Sequence, residues 1–245
     1  MHWTELTEQL FGVDHGIALD GDFLSGEARF DGARIAVVGS INHAPIGVAM
    51  ALLQAAFILD TIARHPGRAL LLLVDTQGQQ LRRRDELLGI NRAMAHLGCV
   101  IDLARRRGHR VIGLVYDQAL SGGFITSGLI ADACYALPEA EIRVMRIPAM
   151  ARVTKISEAR LTELSLANPV FAPGVENYVA MGGIRSLWSG DLRACLREAL
   201  LGSSPDPSLA ASPAAPTDDL RAADGAVRGG RRLAASVTQR VLDAP

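Results

Sequence analysis

The residues best suited to chemistry stand at a turn, Ala119-Leu120-Ser121-Gly122-Gly123-Phe124, which follows an apolar run at 111–116 and the polar pair Asp117-Gln118. A β-branched run, a glycine pair and then a helical pattern predict a buried strand feeding a helix start. Paired glycines let the backbone approach a bound group closely, and a helix N-terminus leaves N–H groups without carbonyl partners. Such amides could stabilise an oxyanion. On these residues alone, a tight turn holding no ligand accounts for the pattern at least as well. A second glycine-bearing loop, Asp75-Thr76-Gln77-Gly78-Gln79, closes the aliphatic run 69–74. Ligands of parallel α/β sheets favour the C-terminal ends of strands, where both loops fall.

Other chemistries can be tested on the same sequence. No G-x-G-x-x-G follows a strand and no G-x-x-x-x-G-K-[ST] occurs, so the usual phosphate cradles of dinucleotide and P-loop sites are missing. The six histidines, at 2, 15, 43, 65, 96 and 109, include no pair at ligand spacing with a third candidate nearby, and no metal centre is expected. Ser121 stands where some hydrolases carry a nucleophile, but it lacks the G-x-S-x-G setting, and His43 or His96 could only be guessed as its base. A small residue needed for backbone packing explains it more simply. Asp85 and Glu86 could be acid/base carboxylates, although at the head of a long helix they would complement its dipole.

These loops need a framework, and the rest of the chain predicts one. Residues 1–24 read as a short helix and loop, and runs at 27–30 and 34–38 flank Asp31-Gly32, a hairpin turn. Residues 48–64 form an apolar helix ended by His65-Pro66-Gly67. A helix over 84–107 places Leu87, Ile90, Met94, Leu97, Ile101 and Ala104 on one core-facing stripe. A further strand is expected at 133–137, so strands and helices alternate as right-handed crossovers of a parallel sheet require. Beyond Met145, residues 147–152 read as a loop. Helices follow, capped by Ser157 and running to about 167, then at 175–181 and 191–201. Residues 202–217 have the composition of a flexible linker and 218–245 read as a basic helical tail, solvated or partner-bound, leaving 1–201 as the domain.

Composition bounds the function. With 245 residues, 49% hydrophobic, and 25 basic against 26 acidic residues, the chain has ample core but no field that would draw nucleic acid or an anionic membrane. Three separated cysteines suggest neither disulfides nor zinc, and read as reduced core thiols of a cytoplasmic protein. No export signal or membrane span is evident, the longest apolar stretch, 48–59, being too short.

Several segments, taken in order, resemble a known family. Val74-Asp75-Thr76-Gln77-Gly78, Glu86-Leu87-Leu88-Gly89-Ile90, Val111-Ile112-Gly113 and Ala119-Leu120-Ser121-Gly122-Gly123-Phe124 are similar to the carboxyltransferase branch of the crotonase superfamily. Residues 83–90, 147–155 and the stretch from Asn177-Tyr178 to Leu187-Trp188 look like the gamma subunit of biotin-independent malonate decarboxylase, and the likeness runs from about Phe30 to Leu201. It implies a crotonase-like α/β spiral of ββα turns, with a mostly parallel sheet, surrounding helices and a beta subunit completing the active site. It also implies a malonyl thioester, carried on the dephospho-CoA-derived prosthetic group of an acyl carrier protein loaded by an alpha transferase subunit, or malonyl-CoA in its place. No cofactor would be bound directly. Carbon dioxide would leave to give an acetyl thioester, and the family's second oxyanion hole carries over to the amides of Gly122 and Gly123. Thr76, Gln77, Gly78, Ser121 and Phe124 would line the substrate. Two positions depart from related carboxyltransferases: Ser121-Gly122-Gly123 stands for Gly-Gly-Ala, which leaves the amides intact, and Gln77 stands for a proline, which alters the neighbouring pocket. The length suits one of two such domains, so the other half is expected on another chain. Alternatives are a carboxyltransferase subunit of a biotin-dependent acyl-CoA carboxylase, which would need carboxybiotin, and a noncatalytic crotonase-like scaffold.

Overall fold

In the computed structural model, which describes residues 1–167, 174–202, 221–231 and 233–244, the chain builds a seven-stranded sheet. After helix α1 (Trp3–Phe11), strands β1 (Gly16–Asp20), β2 (Phe23–Phe30) and β3 (Ala33–Ser40) form an antiparallel meander. The expected hairpin is present: Phe30 pairs with Ala33 across Asp31 and Gly32, both at positive φ, as a two-residue primed turn requires. β1 falls where the sequence suggests a loop. Mostly exposed and five residues long, it gains order from pairing with β2, which no local pattern encodes.

From β3 the sheet turns parallel. Helix α2 (Val48–Arg64) leads to β4 (Leu70–Thr76), helices α3 (Arg83–Leu87) and α4 (Ile90–Arg106) lead to β5 (Val111–Leu120), and β6 (Ala133–Ala136) follows. β4 is buried throughout: Leu70 and Leu72 pack with α2 and α4, and Leu71 and Leu73 with α1 and the helix α9 (Leu192–Leu201). This two-sided burial explains its unbroken aliphatic sequence.

Three expectations fail for identifiable reasons. The helix over 84–107 is broken at Gly89, whose φ of 78° is left-handed backbone that glycine adopts without steric cost. The break turns Leu87 out of the stripe, leaving it 76% exposed. β5 does not stop at Tyr116. Asp117 and Gln118 sit in an irregularity, where pairing passes from Val74–Val115 to Thr76–Ala119, and beyond it the short strand β7 (Glu141–Arg143) pairs with Gln118 to Leu120. Residues 147–152, read as a loop, belong to helix α6 (Ile147–Thr154), with Pro148 in its first turn, where a missing N–H is harmless.

Ser157 caps α7 (Glu158–Ala167) by accepting from Arg160 N–H, as expected, and α8 (Val175–Ala180) and α9 fall where the sequence places helices. Cys134 is buried and Cys195 half-buried, but Cys99, expected in the core, is exposed on the outer side of α4. Most of the anticipated linker lies outside the described residues. Beyond it come α10 (Arg221–Val227) and α11 (Ala234–Leu242). Arg228, just after α10, donates to the carbonyls of Val179, Ile184 and Arg185, so this part of the basic segment is bound to the domain. The α11 stripe of Val237, Val241 and Leu242 is exposed.

Candidate active site

The strand β5 ends at Leu120 and the chain passes at once into the helical turn α5 (Ser121–Phe124), continued by a π-helical turn over Ile125–Leu129. Ser121 holds a φ of 54°, uncommon for a residue with a Cβ. That geometry makes the sharp corner between strand and helix. Its hydroxyl donates to Val144 O at 2.9 Å, which anchors the corner and occupies the proton a nucleophile would release. His96 is exposed on α4 and His43 is paired elsewhere, so neither is a partner for a hydrolytic serine.

The first N–H groups of a helix lack intrahelical acceptors; in α5 they belong to Ser121, Gly122 and Gly123. Gly123 lies against the loop after β4. A Cβ at Gly123 would stand 2.6 Å from Gly78 C and 2.8 Å from its Cα, closer than a side chain can approach, so only glycine allows these loops to touch. The two glycine-bearing loops picked out in the sequence are therefore adjacent.

The other candidates have distinct places. Thr76 is fully buried, its hydroxyl donating to Ala44 O at 2.6 Å and accepting from Gly78 N–H at 3.1 Å, which holds the β4 loop. Gln77 has an exposed side chain beside the turn, with its N–H on His43 O. Phe124 is buried against Tyr178, so its ring belongs to the core. Asp85 does more than complement α3: its Oδ1 accepts from Val48 N–H at 2.9 Å and caps α2, whose own N-cap, Gly47, has no side chain to do so.

Sequence reasoning missed one cluster. His43 Nε2 lies 3.5 Å from Asp75 Oδ1 and 3.3 Å from Asp117 Oδ2. Asp75 is buried and also accepts backbone N–H bonds from His43 at 2.9 Å and Gln118 at 3.3 Å. Burial, helped by the negative Asp117, pushes its carboxyl above the usual range despite the His43 N–H bond and charge and the Gln118 N–H. Tyr116, whose hydroxyl donates to Ser40 O, is held as a phenol by burial and by the same two carboxylates. Among the described residues the side chains of His43, Asp75 and Asp117 form the one group close enough to hold a metal ion. Polar residues at 42–43 and Asp75 at a strand end were visible in the sequence; the irregularity that brings in Asp117 was not.

A mostly parallel sheet carries a glycine-built amide turn at the C-terminal end of β5, and solved structures of the carboxyltransferase type of crotonase-like domain have a similar fold. The fold is similar to a chain of the Pseudomonas malonate decarboxylase hetero-tetramer solved with coenzyme A, with a TM-score of 0.77 and 25% identity over 97% of each chain. It is also similar to transcarboxylase 12S, at TM-score 0.69 and 20% identity, covering 87% of this chain and 45% of that one. The family model for the malonate decarboxylase gamma subunit matches residues 41–244, and this chain belongs to that family. A malonyl-S-ACP:biotin-protein carboxyltransferase of Malonomonas rubra is 34% identical over 134 residues, which cover 53% of this chain. The match takes in 46% of that protein, so the chain spans about half its length. No helix among the described residues is long and apolar enough to cross a membrane.

Proposed function

We propose that the Ser121-Gly122-Gly123 turn is one wall of a malonyl-thioester decarboxylase site completed by a beta subunit. The carrying observation is the contact of Gly123 with Gly78, which packs a helix start, whose first amides lack intrahelical acceptors, at the ligand-favouring end of the sheet. When the carbon–carbon bond to the carboxylate breaks, its electron pair passes into the thioester and carbon dioxide leaves. The carbonyl oxygen then carries enolate charge, and protonation at carbon gives the acetyl thioester. Donors that bind the developing oxyanion more strongly than the ground-state carbonyl lower the barrier, by roughly 3 kcal/mol for one preorganised N–H.

Gly122 and Gly123 are the donors in this reading, with Gln77, Gly78 and Ser121 along the substrate and Thr76 and Phe124 holding the loops. The substrate is a malonyl group on the dephospho-CoA-derived arm of an acyl carrier protein, charged by an alpha transferase subunit, with malonyl-CoA as a stand-in. Support comes from the family match and from the coenzyme A in the Pseudomonas complex. Co-expression with the beta subunit is expected to yield an assembly that releases carbon dioxide from malonyl-CoA, and an intact assembly without turnover sinks the proposal.

A second reading follows from the Malonomonas relative, named for transfer to a biotin protein: the carboxyl group passes to biotin instead of leaving as carbon dioxide. Turnover that requires a biotinylated carrier would select it.

A further inference from the structure

His43 is tied to the glycine loops by both its backbone and its ring. Asn42 and His43 have φ of 57° and 53°, two successive left-handed residues with side chains, a conformation that persists only where surrounding contacts impose it. Those contacts lead to the site. His43 N–H donates to Asp75 and His43 O accepts from Gln77 N–H; Ile46 N–H then donates to Gly78 O, and Gln80 N–H to Ile46 O. Gly78 in turn is the surface on which Gly123 rests. The imidazole stands between the ends of β4 and β5, facing Asp75 on the first and Asp117 on the second. Asp22 reaches the same loop through Asn42 Nδ2, and the Tyr116 hydroxyl is committed to Ser40 O.

Resting on the decarboxylase reading above, we propose that His43 is a positioning residue of the thioester site. Bridging Asp75 and Asp117, it locks the 41–47 loop onto Gly78 and so sets the Gly122 and Gly123 amides where the oxyanion forms. A loop released by a fraction of an ångström would misplace those donors without removing them, which lowers turnover more than ground-state binding.

The test uses the full chain assembled with its beta subunit. His43→Asn keeps a side chain that tolerates left-handed backbone and removes the ring, and Asp117→Asn removes one facing carboxylate from a half-exposed position. Each substitution is expected to lower kcat for malonyl-CoA about tenfold or more with KM within about twofold, and the double variant to be no worse than either single one. Amide hydrogen exchange is the readout that does not depend on turnover: the hydrogen-bonded amides of Ile46, Gln77, Gly78 and Gln80 are expected to exchange about tenfold faster in His43→Asn. Unchanged exchange at these amides, additive losses in the double variant, or a loss that follows subunit dissociation would each overturn the proposal. A wild-type assembly that is silent toward malonyl-CoA would fail the functional reading instead, and the exchange measurement would still decide whether His43 orders the loops.

Discussion

Gly122 and Gly123 are adjacent but have different tolerances. A Cβ on Gly123 would meet Gly78 backbone, whereas one on Gly122 would come within 3.2 Å of Gln79 Oε1, the movable end of a flexible side chain. Gly123→Ala is therefore expected to cost roughly 1–3 kcal/mol of stability and, by displacing a donor, about 100-fold or more in decarboxylation. Gly122→Ala should stay within about 1 kcal/mol of wild type. Urea titrations and steady-state rates on the two variants check the contrast, and equal behaviour would refute the contact argument. Ser121 has two opposing attributes, a left-handed φ and the bond to Val144 O. Ser121→Gly relieves the first and loses the second, each worth about 1 kcal/mol, so stability should barely change in urea titration; a loss beyond about 2 kcal/mol would show that the two do not offset. Glu27 answers a different question. Burial raises its carboxyl, but the Arg34 hydrogen bond and the charges of Arg68, His65 and Arg34 outweigh it and hold the group below its ordinary value. Its stabilising contribution is thus full above the unfolded-state pKa of about 4.3 and is lost as pH falls through the lower folded-state value. Urea midpoints between about pH 3 and 7 should fall less steeply on the acid side for Glu27→Gln.

The elements owe their positions to contacts across the chain. α2 begins at a glycine and borrows its cap from Asp85 on α3. Asp85→Ala is expected to cost about 1 kcal/mol, measured by urea denaturation, with Asp85→Asn recovering part of it because the amide oxygen still accepts. Their existence was legible. The apolar runs of β4 and β5, the Asp31-Gly32 hairpin and the helical stripe of α4 all follow from local pattern and appear where expected. The kink at Gly89 and the extension of β5 to Leu120 were not legible, because an isolated glycine is compatible with either a continuous or a broken helix, and a polar pair in a strand reads as its end unless its partner is known.

Across the whole molecule the C-terminal segment is the feature that pattern alone left loose. Arg228 satisfies three carbonyls at the end of α8 and just beyond it, and charged hydrogen bonds of this kind are worth about 1.5–3 kcal/mol each. Arg228→Ala should release α10, seen as new cleavage within residues 221–231 under limited proteolysis while the sheet stays protected. Unchanged cleavage would mean that the remaining contacts of α10, the Arg221 bonds to the Leu129 and Ala131 carbonyls and the Arg185–Asp224 ion pair, suffice to hold it. The exposed α11 stripe and the outward Leu87 and Leu88 leave apolar surface on a chain whose proposed chemistry needs a second subunit.

The sequence by itself determined the alternating α/β framework, the two glycine loops at strand ends and, through ordered short segments, the family. Its chemistry was legible as a kind of donor, since backbone amides need only a glycine turn and a helix start. Tertiary structure alone decided that Gly123 rests on Gly78, that Ser121 is spent on Val144, and that His43, Asp75 and Asp117 meet. These contacts join residues far apart in the chain, the last of them across a strand irregularity, and local pattern carries no information about which distant backbone will lie opposite.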